Sequence, residues 1–470
     1  MARALLQFPL EIIHSILSLT DTQTLLAIQR TCRFMYNNIK GNRALYRNMY
    51  LNILDDPLTH ELDWEQEVHD LLKLRLICDR KDADKAEELP FVYSTVTRLL
   101  KHSAQDQEGE RPLVTMTYPI SRNATLLASL FENESNRKAF LMRSFIFERA
   151  QGLTNGIEDP PKENHQQSAK LHCLYGMPSR NPGRTRSSKM YPFACSKVYD
   201  LRQYTGDSRW GPFINDGSDR VDWEKVEAIL LVIRTNIKNK GLDAFAIFSY
   251  IWSDPFCGCW PRSYIPWSPE PLEPEGGSAA LSARDPYGVT GTWLRVVCFL
   301  DFNDFFSYNF PLGDPLPDHV PRPALNVGEA TRLILMKIRV TKVEPAGEGY
   351  RNKDHPVVHF EGLSRALDEM WDDETDSDLR GTVSMTPEGE VRWTTYSIFD
   401  GVERWKSESI QLGGIRSARG VVGNWFDSNF NPHGPCGPTA FWKVSDEDPK
   451  PEGEIIQTRL PSPLLGNLRF

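Results

Sequence analysis

The second half of the chain alternates. "WLRVVCFLDF" (293–302) puts Leu294, Val296, Cys298, Leu300 and Phe302 on one face of an extended strand. "RLILMKIRV" (332–340) does the same with Ile334, Met336, Ile338 and Val340, leaving Lys337 and Arg339 on the other face. Side chains alternate across a strand, so each run has a face that needs a core. "GTVSMTPEGEVRWTTYSIFDGVERWKSESIQLGG" (381–414) reads as a meander, turning at Pro387-Glu388-Gly389 and again at Asp400-Gly401, a strong two-residue hairpin signal. One helix interrupts, "DWEKVEAILLVIRTNI" (222–237), with Asp222 as N-cap and Val226, Ile229, Leu230, Ile233 and Ile237 on its buried face. So many strands and so few helices predict a closed or nearly closed antiparallel barrel, or a sandwich, over residues 190–445.

The beginning of the chain follows a different period. On a helical wheel, Leu10, Ile12, Ile13, Ile16, Leu17 and Leu19 cover about half the circumference. Pro9 suits the first helical position, where no donor is lost. A second helix is expected from about Thr24 to Asn37, its stripe made of Leu25, Ile28, Cys32, Met35 and Tyr36, and a third over 43–54. Three short helices bury little by themselves, and these carry more apolar surface than they can cover among themselves. Docking onto the next part of the chain would absorb the surplus; so would a groove on another protein.

Composition narrows the classes. The balance of 54 basic and 63 acidic residues, net −9, argues against a nucleic-acid binder. Runs such as "AILLVI" (228–233) fall far short of the roughly 18 residues a membrane helix needs. Pro9, Glu11 and His14 interrupt the first apolar run, and no small-residue cleavage site follows it, unlike a secretory signal. The eight cysteines are scattered through apolar runs, as buried thiols in a reducing compartment would be. A soluble protein of the cytoplasm or nucleus is expected.

The N-terminal register then resembles a family. Pro9-Leu10-Glu11-Ile12-Ile13, Ile16-Leu17, Leu25-Leu26, Thr31-Cys32-Arg33 and Leu45-Tyr46 follow the F-box pattern in order and spacing over about residues 5–53. Phe8, Met35 and Tyr46 depart from it by apolar exchange. The resemblance implies docking on a Skp-type adaptor, and through it on a cullin–RING ubiquitin ligase, with Phe8, Pro9, Leu10, Ile12, Ile13, Ile16, Leu17, Leu25, Leu26 and Cys32 as the adaptor-binding residues. "DPYGVTGTWLRVVCFLDFND", "HPVVHFEGLSRAL" and "GIRSARGVVGNWFD" look like the C-terminal region of filamentous-fungal F-box proteins. More loosely, the layout is similar to the lipocalin-like barrel of animal F-box receptors.

Candidate chemistry is sparse. No GxSxG, P-loop, GxGxxG, HExxH or paired CxxC motif occurs. His433 and Cys436 with Asp427 nearby read better as a turn than as a catalytic pair. Cys257 and Cys259 with His172 and Cys173, and the pair His355 and His359, lack the spacing or a third ligand for metal. Arg180, Arg184, Arg186 and Lys189 read as a solvated loop before phosphate. Trp393, Trp405, Arg416, Arg419, Trp425 and Trp442 are candidates for the barrel mouth, because Trp and Arg make good recognition anchors. Among them Arg416, Arg419 and Trp425 are the expected substrate-binding residues, since glycines beside them would keep the backbone open.

The whole reads as an α+β multidomain chain: a three-helix F-box (1–55), a helical brace (56–150), a flexible linker (151–189), a β-rich recognition domain (190–445) and a tail (446–470). The acidic segment 367–378 reads as an exposed loop. The expected role is the non-catalytic substrate receptor of an SCF-type ligase with an unknown protein substrate, no cofactor and no metal. The alternative is a β-barrel that binds a small molecule or carbohydrate, perhaps an enzyme, and is regulated through its F-box.

Overall fold

A computed structural model describes residues 7–446 except 58–60, 82–83, 105–119, 155–161, 178–183, 243–253, 265–280, 282, 312, 348–353 and 368–375, with backbone alone at 184–188. The chain forms two compact units that divide after Phe140. The readings at Arg180, Arg184 and Arg186, in the acidic stretch 368–375 and in the tail beyond 446 lie outside the described side chains.

The first unit is helical: α1 (Leu10–Ser18), α2 (Thr22–Gln29), α3 (Arg33–Ile39), α4 (Arg43–Ile53), α5 (Trp64–Asp79), α6 (Leu89–Lys101), α7 (Arg122–Phe131) and α8 (Glu134–Phe140). Short polar side chains start several of them. Asp21 accepts from the Thr24 amide at 2.8 Å, Asn42 from Leu45 at 3.1 Å and Ser121 from Ala124 at 3.1 Å, each meeting an amide the helix leaves open. Pro9 sits one place before α1, where its carbonyl accepts from Ile12 and Ile13. The single helix expected over 24–37 is two, because the chain straightens at Cys32 (φ −158°, ψ 163°). Leu25 and Met35 keep their buried spacing across the break, whereas Tyr36 turns outward.

The first helices do not stand apart from the brace. Tyr46, Met49 and Tyr50 of α4 are fully buried, and Tyr50 meets Trp64 of α5 edge to face at 5.3 Å. The buried Asp55 carboxylate accepts from Ser121 Oγ (2.5 Å), the Arg122 amide (2.9 Å) and the Ala104 amide (3.1 Å). These contacts make the described residues between 7 and 140 one core, and 141–150 belongs to the second unit.

That unit opens with α9 (Phe145–Gln151), α10 (Glu163–Tyr175), α11 (Arg184–Tyr199) and α12 (Trp223–Asn239). Within the flexible linker expected over 151–189, residues 163–175 instead form α10, most of whose side chains are buried. β1 (Gly291–Phe299) and α13 (Phe302–Asn309) follow, then β2 (Ala330–Glu344), β3 (Val357–Ala366), β4 (Ser377–Met385), β5 (Val391–Phe399), β6 (Val402–Gln411), β7 (Val421–Asp427) and β8 (Cys436–Ser445). All eight strands form one closed antiparallel barrel in chain order, and β8 returns to β1 with Leu294 opposite Trp442. Closure settles barrel against sandwich. The β5–β6 hairpin turns at Asp400 (φ 50°) and Gly401 (φ 77°), the two positive φ angles of a type I′ turn.

α12 lies against the outside of β1, β7 and β8, with α10 and α11 packed on it. Leu294, Val296, Cys298, Val422, Ala440 and Trp442 face this helical layer. The single buried stripe expected for α12 is therefore too narrow: Trp223 to Arg234 is buried without interruption.

Inside the barrel the opposite faces meet. Trp293, Met336, Ile338, Phe360, Trp393, Val421 and Phe441 fill one end. The ring centroids of Trp293, Trp393 and Phe441 lie 5.0–5.8 Å apart, edge to face. Gly381 leaves room for the Phe360 ring, which a Cβ there would meet at 2.4 Å. The other end is hollow. No helix among the described residues is long and apolar enough to cross a membrane.

Candidate functional site

Two surfaces stand out. The first is α1, whose half-circumference of apolar residues divides into two faces. Ile13 and Leu17, each 1% exposed, join Leu25, Met35 and Ile39 in the core of the unit. Phe8, Leu10, Ile12 (47% exposed), Ile16 and Leu19 form an outward row. Of the expected adaptor-binding residues, Ile13, Leu17 and Leu25 are thus core; Phe8, Pro9, Leu10, Ile12, Ile16 and Cys32 are exposed, and Leu26 is half-buried. The wheel overcounted because it cannot distinguish the two halves of a wide apolar arc. Phe34 and Tyr36 of α3 are also exposed.

The second surface is a cavity of about 450 Å³ at the hollow end of the barrel. Phe299, Phe399, Trp405 and Trp425 wall it, Arg295 reaches it from within β1, and Phe302 and Phe305 of α13 approach from outside. Trp425 is held by its indole N–H, which donates to the Cys298 carbonyl at 3.0 Å, and it meets Trp405 edge to face at 5.2 Å. Arg332 and Asp301 bring opposite charges to the lining.

The expected substrate-binding trio does not assemble. Trp425 lines the cavity, but Arg416 and Arg419 lie in the β6–β7 connection, at the filled end. Arg416 is exposed there. Arg419 is completely buried: one terminal nitrogen donates to the carbonyls of Asp254 (3.0 Å) and Cys257 (2.7 Å), the other to that of Tyr175 (2.9 Å). It ties the end of α10 and the segment after 253 to the barrel, so it is a clamp and not a substrate anchor. The neighbouring glycines seat this packing and do not open it. A Cβ on Gly413 (φ 81°) would lie 2.4 Å from the Cys259 backbone. Trp393 belongs to the aromatic plug and Trp442 to the outer helical layer.

Arg295 is the site residue that strand periodicity passed over. The alternation of β1 marks Leu294, Val296 and Cys298, which face α12. The signal was present nonetheless, as a lone charge in "TWLRVVCF" with apolar neighbours on both faces. The other sequence candidates carry less. Cys436 is buried, and burial raises its thiol to about 12, so it is no nucleophile at neutral pH. His433 packs on the Phe310 ring. Among the described residues no group of three or more His, Cys, Asp or Glu side chains is placed to hold a metal.

Fold and surfaces together define a two-part α+β protein: a helical unit with an outward apolar row, and a closed barrel with a cavity at one end. The model of the F-box-like family matches residues 5–52, the segment that carries that row, so the chain carries an F-box-like domain there. F-box domains in general bind Skp-type adaptors and point to substrate receptors of Skp–cullin–F-box ubiquitin ligases. No curated protein and no solved structure matches the chain.

Proposed function

We propose that this protein is the substrate-recognition subunit of an SCF-type ubiquitin ligase. The outward row of α1, within the F-box-like segment, carries the reading. An exposed apolar helix face of this kind suits the groove of a partner, here the Skp-type adaptor. The second unit then presents a protein substrate, and the subunit performs no chemistry itself. Its contribution is positional, raising the effective concentration of substrate lysines beside the recruited ubiquitin-transferring enzyme. A reducing compartment, cytoplasm or nucleus, suits its eight free cysteines.

Co-purification tests this. Replacing Ile12 and Ile16 by Asp should abolish recovery of the adaptor with the full-length chain and leave its melting temperature unchanged, because both side chains face outward. Undiminished recovery of adaptor would remove the reading.

A further inference from the structure

The hollow end of the barrel has a charged floor. Arg295 rises from the middle of β1, above the plug residue Trp293 and below Val297 and Phe299, and only 6% of it is exposed. Its Nε donates to Thr439 Oγ1 at 2.8 Å. The two terminal nitrogens find no acceptor among the described residues. A guanidinium has five N–H donors and a full charge, and leaving most of them unmet in a chamber walled mainly by apolar side chains is costly. Groups kept in that condition call for an explanation, and a ligand is one.

The rest of the chamber says which ligand. Its volume, about 450 Å³, falls in the range of small-molecule sites, and its walls are aromatic. We propose that the cavity binds a small organic acid, its carboxylate against the terminal nitrogens of Arg295 and its aromatic or aliphatic body between Phe299, Phe399, Trp405 and Trp425. The planar fork of a guanidinium matches the two oxygens of a carboxylate, which meets donors and charge together. Burial lowers the guanidinium to about 10, so it remains a cation at neutral pH. A peptide suits the chamber less, because its amides need polar partners and the wall hydroxyls of Ser364 and Ser377 are bonded to each other at 2.7 Å. The assignment does not depend on adaptor binding.

Calorimetric titration of the full-length chain with 3-phenylpropionate and with decanoate, each beside its primary amide, tests it. The acids should bind at least about tenfold more tightly than the amides. Arg295→Met should erase that difference and raise the melting temperature of the ligand-free protein, since an unmet charge has gone. Ser397→Trp keeps Arg295 but fills the chamber, and should block both acids even if the first variant proves unstable. Equal binding of acid and amide, equal competition by chloride, or no binding of any probe would overturn the proposal. So would a peptide with a free terminal carboxylate that outcompetes both acids, because the site would then belong to a protein chain end.

Discussion

Arg419 gathers carbonyl oxygens from two separate segments of chain, and its removal would take a charged donor from each of them, while the Asp254 and Tyr175 carbonyls keep the Cys257 and Phe256 amides. A hydrogen bond from a charged donor is worth about 1.5–3 kcal/mol, so Arg419→Ala should lower unfolding free energy by at least about 2 kcal/mol. Lys should restore little, because a single ammonium cannot span the same carbonyls. Chemical denaturation of both variants measures this; a stable Arg419→Ala protein would mean that the clamp is dispensable. Arg419 and Arg295 look alike as letters, each an arginine in an apolar strand-like context. What separates them is the partner: carbonyls distant in the chain for one, an aromatic chamber for the other. Neither is written near the residue itself, which is why local patterning selected the wrong arginine.

Among elements, α1 shows how far periodicity reaches. Its helix and its apolar width are legible in the sequence, but which half of the width faces inward depends on α2 to α5. Ile13→Ala or Leu17→Ala should cost about 2–5 kcal/mol, as buried truncations do. Ile12→Ser and Ile16→Ser should stay within about 0.5 kcal/mol and act only on partner binding. Thermal melts of the four variants would separate the faces; equal losses would mean a single buried stripe. The β5–β6 hairpin was legible because Asp400-Gly401 specifies its turn locally. α10 was not, because polar side chains bury it. Gln166 donates to Asp222 (3.0 Å) and accepts from the Trp223 amide (2.6 Å), Ser168 accepts from the Arg143 amide (3.0 Å), and His172 meets Glu227 (2.5 Å). A helix held by hydrogen bonds leaves no apolar stripe for a period to detect.

For the molecule as a whole, buried thiols set the response to alkali. Burial raises Cys78, Cys259 and Cys436 to about 12 and Cys257 to about 11, and holds Cys173, Cys195 and Cys298 well above their ordinary value. Above about pH 9 the unfolded chain releases these protons while the native state keeps them. The native state then binds more protons, so stability falls as pH rises, by about 1.4 kcal/mol per unit for each fully shifted thiol. Lys225 works the other way: burial lowers it to about 8, so above that pH the unfolded chain carries the extra proton and stability gains. The thiols outnumber it. Melting temperature should therefore hold near neutrality and drop steeply from pH 9 to 11, and a flat profile there would contradict the packing of the cysteines. The return of β8 to β1 has a consequence of another kind. Every strand has a backbone partner on both sides, so no strand offers its full length as an open edge. An overhang such as β2 past Ile338, paired with β3 alone, is short. Fibril growth at an edge, and the reading of an extended peptide through main-chain pairing, have little to build on in the barrel. Whatever it selects, it must tell apart by side chains and loops, through shape and charge.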